Sequence, residues 1–208
     1  SMSRNNIKIG VILQGAETPF MKEVLKGIQE ACAEVDNLGG TVLVHKIEHQ
    51  NAEDVILAME KMRMEEVRGI AMVPLDEERV KREIDRFVEE FRIPVVTFTS
   101  DVEDTKRLCC VGQNGVQCGR AAAGLMGELT GGKGKVAVIS GYSTNTSLSS
   151  RVTGFREEMV RKYPGIEIIG PEYCFEENAR AREITEGIFK EVPDLDGIYL
   201  TSHGEEGV

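Results

Sequence analysis

The feature that most constrains this chain is a regular alternation of short apolar runs, rich in β-branched residues, with longer stretches of helical spacing. Runs at 7–13, 41–47, 70–73, 94–99, 108–111, 136–140, 167–169 and 197–201 read as strands. After the first of them, Phe20, Val24, Leu25, Ile28, Cys32 and Val35 fall on one helical stripe, which Gly39 and Gly40 end. Val55, Ile56, Met59 and Met62 form a second stripe, and Val80, Ile84, Phe87 and Phe91 a third. Pro74 closes the third strand and Pro94 opens the fourth. Strands separated by helices are joined by crossovers, so the sheet is predicted to be parallel with helices on both faces.

The rhythm restarts at 112–115 with a small-residue helix over 116–129, a turn at 131–134 and further helices over 150–162 and 179–190. With 208 residues, 41% of them hydrophobic, the chain has material for two modest cores. The predicted fold class is therefore α/β: two Rossmann-like lobes, each a parallel sheet flanked by helices. The N-terminal lobe is expected at 4–113, and a C-terminal lobe at 114–208 that is incomplete, truncated at its C-terminal end.

In open parallel sheets ligands sit beyond the carboxyl ends of the strands. Those ends are 14–20, beginning at Gln14, then 74–77, 99–101, 141–150 and 202–205. They carry amides, hydroxyls, a guanidinium and aromatic rings rather than an acid–base pair, a set that suits the hydroxyls and apolar face of a sugar. Phe20, Asp101 and Arg151 are of the right types, and His203 follows the last strand where a polar ring reaches the site. Each has a plainer alternative. Phe20 fits equally as a staple of the helix start into the core, Asp101 as a turn cap, Arg151 as a solvated helix-start residue and His203 as a loop histidine. Phe98 and Tyr142 are the other rings available for stacking, since the chain has no Trp.

Several chemistries are set aside. Gly127 to Lys133 has the glycine spacing of a phosphate loop, but a helix precedes it, a strand follows, and Gly134 stands where a hydroxyl is needed. His45 and His49 straddle a strand end with no further ligand at metal-site spacing. No nucleophile elbow, catalytic triad order or dinucleotide fingerprint is present, so no cofactor, no metal and no enzymatic activity are expected. The formal net charge of −10 repels a phosphate backbone. Five cysteines, with Cys109 and Cys110 adjacent in a strand, do not make a disulfide framework. They favour a cytoplasmic location, with Cys32, Cys109 and Cys174 as small buried hydrophobes. Ser1, Met2 and Ser3 read as a cloning remnant, and no apolar run is long enough to cross a bilayer.

The run from Ile7 to Leu13, followed by Thr18, Pro19, Phe20 and Met21, resembles the opening of periplasmic sugar-binding proteins and of the ligand-binding core of lactose-repressor-family regulators. There the loop usually reads Asn-Pro-Phe-Phe, so Thr18 and Met21 are departures. The stretch from Ile93 to Asp101 resembles the fourth strand, whose end holds a ligand-binding aspartate or asparagine, which makes Thr99, Ser100 and Asp101 the matching positions. Arg107 to Asn114, with Gly119 and Arg120, is similar to the crossing into the second lobe. The loop from Gly141 to Arg151 is similar to that of the regulator-type members, whose arginine grips the ligand, and Ser202 and His203 stand where the family often places asparagine or aspartate.

The resemblance implies a periplasmic-binding-protein-like domain of type I, with ligand in the cleft between lobes and Gln14, Thr18, Phe20, Thr99, Asp101, Arg151, Ser202 and His203 as its ligand-binding residues. The leading expectation is the effector-binding sensor domain of a bacterial transcriptional regulator. Its effector would be a sugar, it would form a homodimer, and it would touch DNA only through a headpiece outside this chain. The alternative is the sugar-binding component of an ABC-type transporter. A doubly wound enzyme acting on a phosphorylated or nucleotide substrate is the third class.

Overall fold

In the computed structural model, which describes residues 6–208, each apolar run of the sequence becomes a strand, and every pairing between the described strands is parallel. The first three residues and the opening of the first lobe as drawn from sequence lie outside the described residues. The chain divides into two compact units, one running to Gly112 and the other from Gln113 to Val208.

Unit 1 has a five-stranded sheet made of β1 (Lys8–Gln14), β2 (Thr41–Ile47), β3 (Ile70–Met72), β4 (Val95–Phe98) and β5 (Cys109–Val111), in the order β2-β1-β3-β4-β5. Its helices are α1 (Pro19–Asn37), α2 (Ala52–Met64) and α3 (Glu78–Glu89). Side chains alternate across a strand, so β1 sends Ile12 into the core beneath α2 and α3, with Met59, Met72, Ile84 and Phe87, and sends Val11 and Leu13 into the other, with Met21 and Val73. Burial on both faces is why β1 reads as an unbroken apolar run rather than an alternating one.

Unit 2 holds β6 (Lys133–Ser140), β7 (Gly165–Tyr173) and β8 (Gly197–Leu200) in the order β7-β6-β8, with α4 (Gly115–Leu129), α5 (Thr146–Lys162) and α6 (Asn178–Glu191). Val136 and Val138 of β6 pack with Phe155 and Met159, while Ala137 and Ile139 pack with Cys174 and Ala181. Helices α4 and α5 touch backbone to backbone. A Cβ added at Gly119 would lie 2.0 Å from the Arg151 carbonyl oxygen, and one added at Gly154 would lie 2.1 Å from that of Val116. Only glycine permits this approach.

Three expectations change. Cys109 and Cys110 are exposed, because β5 is an edge strand with nothing described on its outer side, and Cys32 is only half-buried, whereas Cys174 is buried. Phe20 is 51% exposed, so the reading of it as a core staple fails, and the neighbouring Met21 takes the buried place. Helix α5 starts at Thr146 rather than near 150, because the Asn145 side chain accepts the Leu148 N–H and caps it in a stretch with little apolar periodicity. Between α4 and β6, Gly131 and Gly132 adopt positive φ in a plain helix-to-strand turn.

Glu158 of α5 is buried and paired with Arg161 at 2.8 Å and Lys162 at 2.9 Å. Hydrogen bonds from Arg161 and then Lys162 outweigh desolvation and bring its carboxyl from 4.5 down to about 2. A folded-state value below the unfolded one stabilises the protein above the unfolded value, and that contribution disappears as pH falls through the folded one. The gap in thermal midpoint between wild type and Glu158→Gln is therefore expected to be constant above about pH 5 and to close towards about pH 2. A gap that persists at the acid end would show that the ion pairs are not its source.

Candidate functional site

At the carboxyl edge of unit 1, β1 ends at Gln14, which is buried and donates through Nε2 to the carbonyl oxygens of Val73 at 3.3 Å and Pro74 at 3.5 Å. Its Oε1, also buried, has no hydrogen-bond partner among the described residues. Gly15 follows at positive φ, and Thr18 caps α1: its Oγ1 accepts the Met21 N–H at 3.3 Å and donates to the Gly15 carbonyl at 2.9 Å. The Thr18 hydroxyl is thus engaged in holding the loop that presents the Phe20 ring. Two strands along, β4 ends in Thr99, a β-branched residue at φ 60° whose N–H donates to Val111. Asp101 does not stand free. Its carboxylate accepts from Thr97 Oγ1, the Val102 N–H and the Arg107 guanidinium. Burial pushes the Asp101 carboxyl up, but those donors outweigh it and hold it below its ordinary value.

At the carboxyl edge of unit 2, Arg151 reaches from the second turn of α5 across the end of β8. Its Nη1 donates to the Thr201 carbonyl at 3.1 Å and its Nη2 to Gln113 Oε1 at 3.3 Å, while Nε is buried with no partner among the described residues. The buried Thr201 hydroxyl donates to Ser140 Oγ at 2.7 Å and ties the ends of β8 and β6 together. Ser202 and His203 come next; Ser202 Oγ donates to the His203 carbonyl at 3.2 Å, and His203 Nδ1 lies 3.6 Å from a Glu205 carboxylate oxygen. The unit therefore brings Arg151, Ser202 and His203 to one strand edge.

The same edge carries a feature that the strand and helix pattern did not reveal. Phe175 and Glu176 both adopt positive φ, and the Phe175 N–H donates to the Gly141 carbonyl. This turn sets the Phe175 ring 5.5 Å from that of Tyr142, tilted by 50°, and leaves it 46% exposed. A bulky residue held in the left-handed region is where functional strain is expected. The sequence carried no Gly or Pro to flag the turn. Burial, followed by the nearby Glu176 and Glu177, raises the Tyr142 hydroxyl above its ordinary value, so it stays a neutral donor and acceptor.

Among the described residues no group of three or more His, Cys, Asp or Glu is placed to hold a metal ion. His45 and His49 instead line a groove of about 280 Å³ beside β2 with Lys61 and Ile47. The chemistry at the two strand edges is a guanidinium with a spare donor, a buried amide acceptor, hydroxyls and exposed ring faces. Such groups suit the hydroxyls and apolar face of a neutral, polyhydroxylated molecule.

Residues 9–208 match the profile of the family described as periplasmic binding protein domain. No curated protein matches the chain significantly. Among solved structures, an ABC transporter solute binding protein from Burkholderia graminis C4D1M, in complex with D-arabinose, is 26% identical, with a TM-score of 0.84 over 97% of this chain and 67% of that one. GanP, a glucose-galactose binding protein from Geobacillus stearothermophilus, is also 26% identical, with a TM-score of 0.87 over 97% and 70%. A sugar ABC transporter sugar-binding protein from Bacillus halodurans is 27% identical, with a TM-score of 0.76 over 97% and 67%. The fold is accordingly that of a type I periplasmic binding protein, with parallel sheets flanked by helices.

Proposed function

Because the chain belongs to the periplasmic binding protein domain family, we propose that it binds a sugar at the carboxyl ends of its strands and serves as the sugar-binding component of an ABC-type transporter. The observation that carries this reading is Arg151, whose buried Nε has no partner among the described residues while its other nitrogens fix the guanidinium to the end of β8 and to Gln113. A buried unpaired donor is costly unless a ligand atom completes it, and a sugar oxygen does so without introducing charge. In unit 1, Phe20 offers a face for the C–H side of a pyranose or furanose, and the Gln14 amide and Thr99 offer hydrogen-bonding groups; in unit 2, Phe175 offers such a face, and Ser202 and His203 the hydrogen-bonding groups. Thr18 holds the loop that presents Phe20.

Of the relatives that share this fold, two are named as ABC transporter binding proteins and one as a glucose-galactose binding protein, and none is named for catalysis or DNA binding. That favours the transporter role over the regulator role to which the Gly141 to Arg151 loop had pointed, and with it a working place outside the cytoplasm. The five unpaired cysteines argue the other way, towards a reducing compartment. Immunoblotting of cytoplasmic and exported fractions decides between these locations.

The direct test is thermal unfolding with D-arabinose, D-glucose and D-galactose, with amino acids and purines as controls. A ligand at 100 times its Kd stabilises the folded state by about 2.7 kcal/mol, a shift of several degrees for a protein of this size. A shift with at least one sugar and none with the controls is expected. Shifts only with controls would remove the sugar reading.

A further inference from the structure

The turn after β4 is held by hydrogen bonds and an ion pair that converge on Asp101. Thr97, fully buried, donates from its hydroxyl to Asp101 Oδ1 at 2.8 Å, and the Val102 N–H donates to the same oxygen at 2.8 Å. Arg107 comes back from the loop before β5 and places its Nε on Oδ1 and its Nη2 on Oδ2. The two side chains of this fork are only 20% and 26% exposed, so solvent and salt screen the pair less than a surface bridge. Inside the ring so formed, Ser100 is buried and donates its N–H to the Phe98 carbonyl at 2.7 Å, and Thr99 is held at φ 60° with its N–H on Val111. A β-branched residue adopts that conformation only where its surroundings over-determine it.

We propose that Asp101 and Arg107 act as a positioning pair that presents Thr99 to the ligand, and that Asp101 itself makes no ligand contact. Thr97, the Val102 N–H and Arg107 Nε converge on Oδ1 and Arg107 Nη2 takes Oδ2, so a sugar hydroxyl at Asp101 would compete with a charge-assisted, bidentate pair. Arg107 matters for its planar fork as well as its charge, since a lysine ammonium makes one of the two contacts. The part of the proposal concerning Thr99 and ligand rests on the sugar-binding reading; the clamp on the turn does not.

The experiment has two readouts on the intact chain. In the ligand-free protein, amide hydrogen exchange at Thr99 is followed in wild type, Asp101→Asn, Arg107→Gln, Arg107→Lys and the Asp101→Asn/Arg107→Gln double variant. Protection at Thr99 is expected to fall by about tenfold or more in both single neutral variants, no further in the double variant, and less in Arg107→Lys, with protection of the β1 amides unchanged. Unchanged Thr99 protection in Arg107→Gln overturns the proposal whether or not any sugar binds. Calorimetric titration with D-arabinose, D-glucose and D-galactose gives the second readout. Asp101→Asn and Arg107→Gln are expected to raise Kd by a similar factor, about tenfold, and the double variant by no more than either. Loss of binding in Asp101→Asn with wild-type Kd in Arg107→Gln would make Asp101 a ligand contact and overturn the assignment. If none of the three sugars binds the wild type, the sugar reading fails while the exchange result still decides the clamp.

Discussion

Gly119→Ala is expected to destabilise unit 2 by about 3 kcal/mol or more, the cost of overpacking at the upper end of its usual range. The added methyl would lie 2.0 Å from the Arg151 carbonyl oxygen and 2.7 Å from the Phe155 nitrogen. Both are backbone atoms inside α5, so no rotamer change relieves the contact and the helices have to separate. Separation loosens the packing of Phe155 and Met159 against β6, the larger part of the core on that face. The same helix contains its own control. A Cβ at Gly124 meets nothing within 4 Å, so Gly124→Ala is expected to be neutral or stabilising by up to about 1 kcal/mol through helix propensity. Urea unfolding of the two variants beside wild type tests the comparison, and equal midpoints for them would mean that α4 and α5 do not cross as closely as described. Because the atom struck is the Arg151 carbonyl, sugar binding is expected to weaken in Gly119→Ala even under conditions where the protein remains folded.

β1 and β6 were legible because burial on both faces makes each one a dense apolar run. The ends of elements were less so. Lys133 and Gly165 enter the β6–β7 ladder through backbone pairing alone, and Thr146 enters α5 through the Asn145 cap, so neither position announces itself by hydrophobicity. At the candidate site, residue type pointed to Arg151 and Phe20, because a guanidinium and a ring at strand ends suit a sugar, though each had a plainer use. It did not tell Thr18 the helix cap from Thr18 the ligand contact, nor show that Asp101 is already committed to Arg107. Those distinctions depend on partners distant in sequence or on dihedral angles. Phe175 was missed for the second reason, since its exposure follows from a left-handed turn at non-glycine residues.

Arg151→Ala is expected to abolish sugar binding, raising Kd by about 100-fold or more, the loss expected when a half-buried, charge-assisted anchor is truncated. The guanidinium is fixed from both sides, by the Thr201 carbonyl and by Gln113, so its buried Nε–H has one direction in which to act and needs no ordering on binding. Loss of those two fixing bonds also affects the ligand-free protein, but only by about 1 kcal/mol each, because the freed carbonyl and amide oxygens can take water. A binding loss much larger than the loss in ligand-free stability is therefore the signature of a ligand contact. Arg151→Lys sharpens the test. An ammonium keeps the charge and can still reach the Thr201 carbonyl, yet has no Nε to place, so it should restore most of the ligand-free stability while recovering little of the affinity. Titration of D-arabinose, D-glucose and D-galactose into the three proteins, with the ligand-free midpoint measured beside each, separates the outcomes. If Arg151→Ala bound a sugar with the wild-type Kd, the guanidinium would be a strut joining the start of α4 to the end of β8, and the ligand would have to be sought at the Phe175 turn or at the β1 edge around Gln14.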